Sequence, residues 1–101
     1  MDRIFELQGI EFEWNEEKYA VNLRKHSVKF EEAAEVFFDP LSVYEDASVE
    51  EEQRENVLGF SYSAKALFVI FVERGVRTRI ISARPATSQE RDEYARKNFE
   101  K

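Results

Sequence analysis

The chain has 101 residues, 43% apolar and 14% aromatic, with three Gly and two Pro. That is material for one core and one domain, residues 1–101, and too little for a second. The absence of cysteine excludes a disulfide-stapled module, a thiolate zinc site and a cysteine nucleophile, and a net charge of −6 argues against general nucleic-acid binding.

The N-terminus opens Met1-Asp2-Arg3-Ile4 and reaches Glu6 before any apolar run forms. Ile10, Phe12 and Trp14 alternate with Glu11 and Glu13, the period of a half-buried strand. Asn15 is a natural N-cap and Glu16 and Glu17 complement a helix dipole, so a helix is predicted from there to about Lys25. Its inward stripe is expected at Tyr19, Ala20 and Leu23, with Asn22 and Arg24 to the side. Phe30, Ala33, Ala34 and Phe37 then mark one face of a second helix that Asp39-Pro40 stops.

A weak strand around Leu41 to Glu45 leads into the acidic run Asp46 to Glu55, read as a solvated loop or splayed hairpin tip in which Arg54 is the one cation. Val57–Tyr62, Ala66–Val72 and Val76–Ala83 read as three strands of an antiparallel meander, because the turns between them are short. Thr87-Ser88-Gln89-Glu90 is a capping box opening a terminal helix that is marginal without tertiary packing. The expected architecture is α+β, an antiparallel sheet with helices packed on one face, in the order β-α-α-β-β-β-β-α. The longest apolar stretch, Ala66 to Val72, is far short of the roughly 20 residues that span a bilayer. Neither a signal peptide nor a membrane anchor is expected, and the cytoplasm is the expected compartment.

Charge is uneven along the chain. Residues 1–73 carry 7 basic and 17 acidic side chains, whereas residues 74–101 carry 8 basic and 4 acidic, so an anion is expected at the C-terminal quarter. Phosphate-loop, dinucleotide, zinc-protease and nucleophile-elbow motifs are all missing. One histidine and no cysteine leave only carboxylates as metal ligands, in segments that read as solvent-facing, so no metal and no cofactor are expected.

Arg74, Arg77, Arg79 and Arg84 fall within eleven positions. Arg77 and Arg79 share a sheet face, and strict alternation puts Arg84 on the other unless a bulge or the strand's end intervenes. Guanidinium forks suit phosphate, although for any single one of these arginines pairing with a cross-strand glutamate is the favoured reading. His26, the only imidazole, follows Lys25 at a helix C-terminus, where it is a proton-transfer group or a dipole-stabilised cap.

Phe12-Glu13-Trp14-Asn15, Lys18, Asn22-Leu23-Arg24-Lys25-His26-Ser27-Val28, Phe30-Glu31-Glu32-Ala33, Phe38-Asp39-Pro40, Glu52-Gln53-Arg54, Gly59-Phe60-Ser61, Glu73-Arg74-Gly75 and Arg79 to Ala86, with Glu90 and Tyr94 beyond, together resemble the BrnT toxins in order and spacing. The family commonly has Asp where this chain has Asn15, and Gly where it has Ser27. If that second position needs a positive φ, Ser27 adopts it at about 1 kcal/mol.

The resemblance implies a fold similar to that of RelE-type toxins and a ribonuclease toxin of a type II toxin-antitoxin pair. It implies RNA cleavage without a metal and silencing by a BrnA-like ribbon-helix-helix antitoxin in a hetero-oligomer, which contacts operator DNA only through the antitoxin. The family's recurrent polar residues fall on Lys25, His26, Arg54, Arg74, Arg79 and Arg84. The expected division places proton transfer on His26 or Lys25, the scissile phosphate on Arg79 and Arg84, and further RNA contacts on Arg54 and Arg74. A degenerate toxin that only binds antitoxin and regulates its operon is the competing expectation.

Overall fold

The computed structural model describes residues 1–100. Within them the elements run β1 (Asp2–Leu7), β2 (Ile10–Asn15), α1 (Glu16–His26), α2 (Phe30–Glu35) closed by a 3-10 turn at Val36–Phe38, β3 (Val43–Asp46), β4 (Glu55–Phe60), β5 (Ala66–Arg74), β6 (Arg77–Pro85) and α3 (Ser88–Phe99). The strands form one sheet in the order β1-β2-β6-β5-β4-β3.

The α+β class and the antiparallel meander β3 to β6 agree with the sequence. The wholly antiparallel sheet does not, because β2 pairs with β6 in parallel, at Phe12↔Thr78 and Glu13↔Arg79. Hairpin links enforce antiparallel neighbours, but more than sixty residues and two helices separate these two strands, so nothing local sets their relative direction. Strand β1 is an addition to the expected order. It joins β2 through the two-residue turn Gln8-Gly9, where φ is 50° and 82°, the positive pair of a type I′ hairpin that glycine makes easy.

The main core is built from Phe12, Trp14, Phe30, Val57, Val69 and Ile80, with Ala33, Ala34 and Val36 of the second helical segment pressed onto it. Tyr19 stacks on Phe30 with centroids 4.7 Å apart and meets Trp14 edge-on at 5.5 Å. Leu58, next to core residue Val57 and therefore on the opposite face of β4, packs instead with Ala86 and Tyr94. The helices thus cover both faces, α2 one and α3 the other, which corrects the one-face expectation. Tyr94 donates its hydroxyl to Asp39 at 2.8 Å, and the same Asp39 oxygen accepts the Phe60 N–H at 2.9 Å, tying α3 to the far end of β4. Gly59 is required in that strand, since a Cβ there would stand 2.9 Å from Ser42 Oγ and 3.2 Å from the Val36 carbonyl.

The local signals hold in detail. The Asn15 side chain accepts the Lys18 N–H, and Thr87 and Glu90 form the full capping box. Ser27 sits in the left-handed region at φ 57°, ψ 32°, and caps α1 through its N–H to the Leu23 carbonyl. The stripe of α1 is different from the expected one: Asn22 is buried while Ala20 and Leu23 are exposed. Among the described residues no helix is long and apolar enough to cross a membrane.

Candidate functional site

The site is laid out along β6. Thr78 and Ile80 point into the core, so Arg77 and Arg79 face the other side. Pairing with β5 then skips one residue: Phe71 is opposite Ile80 but Ile70 is opposite Ser82, leaving Ile81 as the extra residue of a bulge. The bulge resets the alternation, Ala83 enters the core, and Arg84 emerges on the face that carries Arg79. Phe68, Ile70 and Val72 of β5 share that face and floor the groove beside it, since Leu67, Val69 and Phe71 take the core positions.

One wall of the groove is α1. Because β2 stays beside β6 only as far as Arg79, the edge of β6 beyond it lacks a strand partner. Asn22 supplies the substitute: its amide donates to the Ala83 carbonyl at 2.8 Å and its carbonyl accepts the Ala83 N–H at 3.2 Å. The carboxamide therefore imitates a neighbouring strand and clamps the helix against β6. Lys18, Val21 and Lys25, at i, i+3 and i+7, line one side of a groove of about 520 Å³ together with His26, and Ile70, Ile81 and Arg84 complete it. Among the described residues no carboxylate lies within ion-pair distance of Lys18, Lys25 or His26, and the one carboxylate on this wall, Glu17, faces the N-terminal ammonium.

Arg84 is held rigidly. Its Nη1 and Nη2 donate to the two oxygens of Glu90 at 2.8 Å each, Nη1 also reaches the Pro85 carbonyl at 3.2 Å, and the guanidinium lies 4.3 Å over the Phe68 ring. Three of its five N–H donors are used. The Nε–H and one Nη2–H have no acceptor among the described residues, so one bidentate edge of the fork is open to an oxyanion. The Glu90 hydrogen bonds raise the Arg84 pKa further above its ordinary value, and Arg84 in turn holds the Glu90 carboxyl below its own.

Arg79 belongs to a second cluster. It donates to Asp2 at 2.9 and 3.1 Å and to the buried Glu13, which also has Arg74 at 3.7 Å and Arg77 at 3.9 Å. The Asp2 hydrogen bond raises the Arg79 pKa. Arg54, paired with Glu52 at 2.9 Å, faces Arg74 and Arg79 across a hollow of about 410 Å³ that adjoins the first groove at Ile81.

The structure therefore brings Lys25, His26 and Arg84 together at one end and Arg54, Arg74 and Arg79 at the other. Arg84 lies five residue steps beyond Arg79, about 15 Å along the strand, so these two do not meet around a single phosphodiester. Lys18, Asn22, Phe68 and Glu90 belong to the site but were not singled out from the sequence as functional. The seven-residue spacing of Lys18 and Lys25 was the available signal for the first, and none pointed to the cation–π contact of Phe68. Among the described residues no three His, Asp or Glu side chains gather as a metal-binding group.

Comparison with known proteins bears on the same region. Residues 14–90, which include all of these groove side chains except Asp2 and Glu13, match the family described as ribonuclease toxin, BrnT, of type II toxin-antitoxin system. Among solved structures the chain is similar to the Brucella abortus ribonuclease toxin BrnT, with a TM-score of 0.58 and 25% identity over 74% of this chain and 94% of that one. No curated protein matches the chain. Order, spacing and fold converge, and the chain belongs to the BrnT family of ribonuclease toxins of type II toxin-antitoxin systems.

Proposed function

We propose that the chain cleaves RNA without a metal ion at the Lys25–His26–Arg84 end of the groove, and that a BrnA-like ribbon-helix-helix antitoxin silences it in the cytoplasm. The observation that carries this reading is one rigid guanidinium with an open donor edge facing unpaired Lys25 and His26 across the same groove. Base, acid and electrophile are then all side chains. One of His26 and Lys25 takes the 2′-OH proton; the 2′-oxygen attacks the adjacent phosphorus; Arg84 neutralises the phosphorane; and the P–O5′ bond breaks as the other of the pair gives its proton to the 5′-oxygen, leaving a 2′,3′-cyclic phosphate. Arg79, placed in the notch with Arg54 and Arg74, holds a neighbouring phosphate of the same strand rather than the scissile one.

An acidic chain acting on RNA fits this arrangement, because Lys18, Lys25, Arg54, Arg74, Arg79 and Arg84 line adjoining hollows on one side of β6 that an antitoxin segment covers until release. The complex reaches operator DNA only through the antitoxin, and the fold is read as similar to that of RelE-type toxins.

The test is to free the chain from its antitoxin and incubate it with total RNA in EDTA. Cleavage with cyclic phosphate ends is expected, falling roughly 100-fold or more in Arg84→Ala and in His26→Ala. Loss of all activity in chelator removes the metal-free reading, and full growth arrest by both variants removes the site. Expression without the antitoxin that leaves growth untouched favours the non-catalytic, antitoxin-binding alternative.

A further inference from the structure

Between the two cationic ends the groove is apolar, and folding does not account for all of it. Val21, on the exposed side of α1 between Lys18 and Lys25, is 53% exposed and faces the groove opposite Ile70 and Ile81. Ile81 is the bulge residue, the one position of β6 that has no partner across on β5. We propose that Val21, Ile70 and Ile81 form a seat for one unpaired nucleobase, flanked by Lys18 and Lys25 on the phosphates, so that the groove accepts single-stranded RNA and rejects the duplex. This rests on the nuclease reading above and names the form of its substrate.

Three features support RNA as the occupant. The wall cations Lys18 and Lys25 carry no internal partner among the described residues, so their charge is available to phosphate. The Arg84 guanidinium, already stacked on Phe68, presents a flat cation at the end of the seat, a surface on which splayed bases stack. Arg54, Arg74 and Arg79 continue the line of positive groups along β6, which suits a chain of phosphates rather than an isolated anion. In an A-form duplex the bases are stacked inside and reach no apolar floor, whereas a single strand turns a base outward and tracks a charged groove.

The experiment uses the full chain freed of antitoxin and a labelled 12-mer RNA whose riboses are 2′-O-methylated, so that binding is read without cleavage. The single strand is expected to bind at least tenfold more tightly than the same sequence in a duplex. Four phosphate contacts, from Lys18, Lys25, Arg84 and the neighbouring Arg79, give a salt dependence of log Kd with slope about 3, reduced by about 0.7 in Lys18→Gln. Val21→Ser, at an exposed helix position that does not threaten folding, weakens the single strand about fivefold with the slope unchanged; Ile81→Ser does the same from the floor.

Equal affinity for single strand and duplex overturns the proposal, as does an unaltered affinity in both seat variants. It is also overturned if the probe fails to bind while Val21→Ser weakens the antitoxin complex, which makes the seat a protein-docking surface. Cleavage of unmodified RNA is scored separately. A failed seat with cleavage intact leaves the nuclease reading standing, and a selective seat in a chain that never cleaves removes that reading alone.

Discussion

Removing the carboxamide of Asn22 tests the mechanical link on which the groove depends. In Asn22→Ala two hydrogen bonds disappear, at 2.8 and 3.2 Å, and the Ala83 N–H and C=O are left at a fully buried residue on an unpaired stretch of β6. Each bond contributes about 1 kcal/mol net, and a stranded buried polar group costs about 1–3 kcal/mol unless water reaches it. With partial access for water from the groove, the expected loss is about 2–4 kcal/mol. That is a large share of the roughly 5–15 kcal/mol that holds a domain of this size, and it corresponds to a fall in Tm of about 10–20 °C.

Urea unfolding followed by far-UV circular dichroism gives the free energy directly. Asn22→Asp separates hydrogen bonding from volume. It keeps an acceptor for the Ala83 N–H but sets a carboxylate against the Ala83 carbonyl, so the introduced carboxyl titrates above its unfolded pKa of about 4. Its deficit relative to wild type is therefore present at neutral pH and shrinks as pH falls through the raised folded value toward 4, where the protonated oxygen can donate. An unfolding free energy for Asn22→Ala within about 0.5 kcal/mol of wild type, or a pH-independent deficit for Asn22→Asp, refutes the strand-substitute role.

Glu90→Gln removes the charge that orients Arg84 while keeping a side chain able to cap Thr87. Cleavage is expected to fall about tenfold with RNA affinity little changed, and the acid limb of the stability profile should flatten, because the depressed Glu90 pKa makes the wild-type pair lose its contribution as pH drops below about 4.5. At the other extreme, burial and the Asp39 contact push the Tyr94 hydroxyl up to about 12. A raised pKa contributes stability that is complete below 10 and lost as pH climbs from 10 to about 12, so urea midpoints should fall across that window in the wild type and less steeply in Tyr94→Phe.

Much of the fold was legible because it rests on neighbours a few residues apart. The caps at Asn15 and Thr87 act over three residues, and the period of Phe30, Ala33 and Ala34 needs one helical turn. The left-handed Ser27 follows from the end of a helix at His26. Strand β1 carries a local signal in its Gln8-Gly9 turn, but Asp2-Arg3 and Ile4-Phe5 break the two-residue alternation that marks a strand: Ile4 is exposed and only Phe5 and Leu7 lean on the core.

The sequence alone, through its motifs and their resemblance to the BrnT toxins, pointed to the family, the α+β class, the meander and six polar residues that border two adjoining hollows. Tertiary structure decided which of them face each other. The Ile81 bulge reversed the side on which Arg84 emerges, the parallel pairing of β2 set Glu13 and Asp2 on Arg79, and Asn22 reached sixty-one positions along the chain to bring Lys25 and His26 to Arg84. Local preferences have a range of about one turn or one pleat, whereas each of these contacts depends on how layers far apart in sequence settle against a shared core.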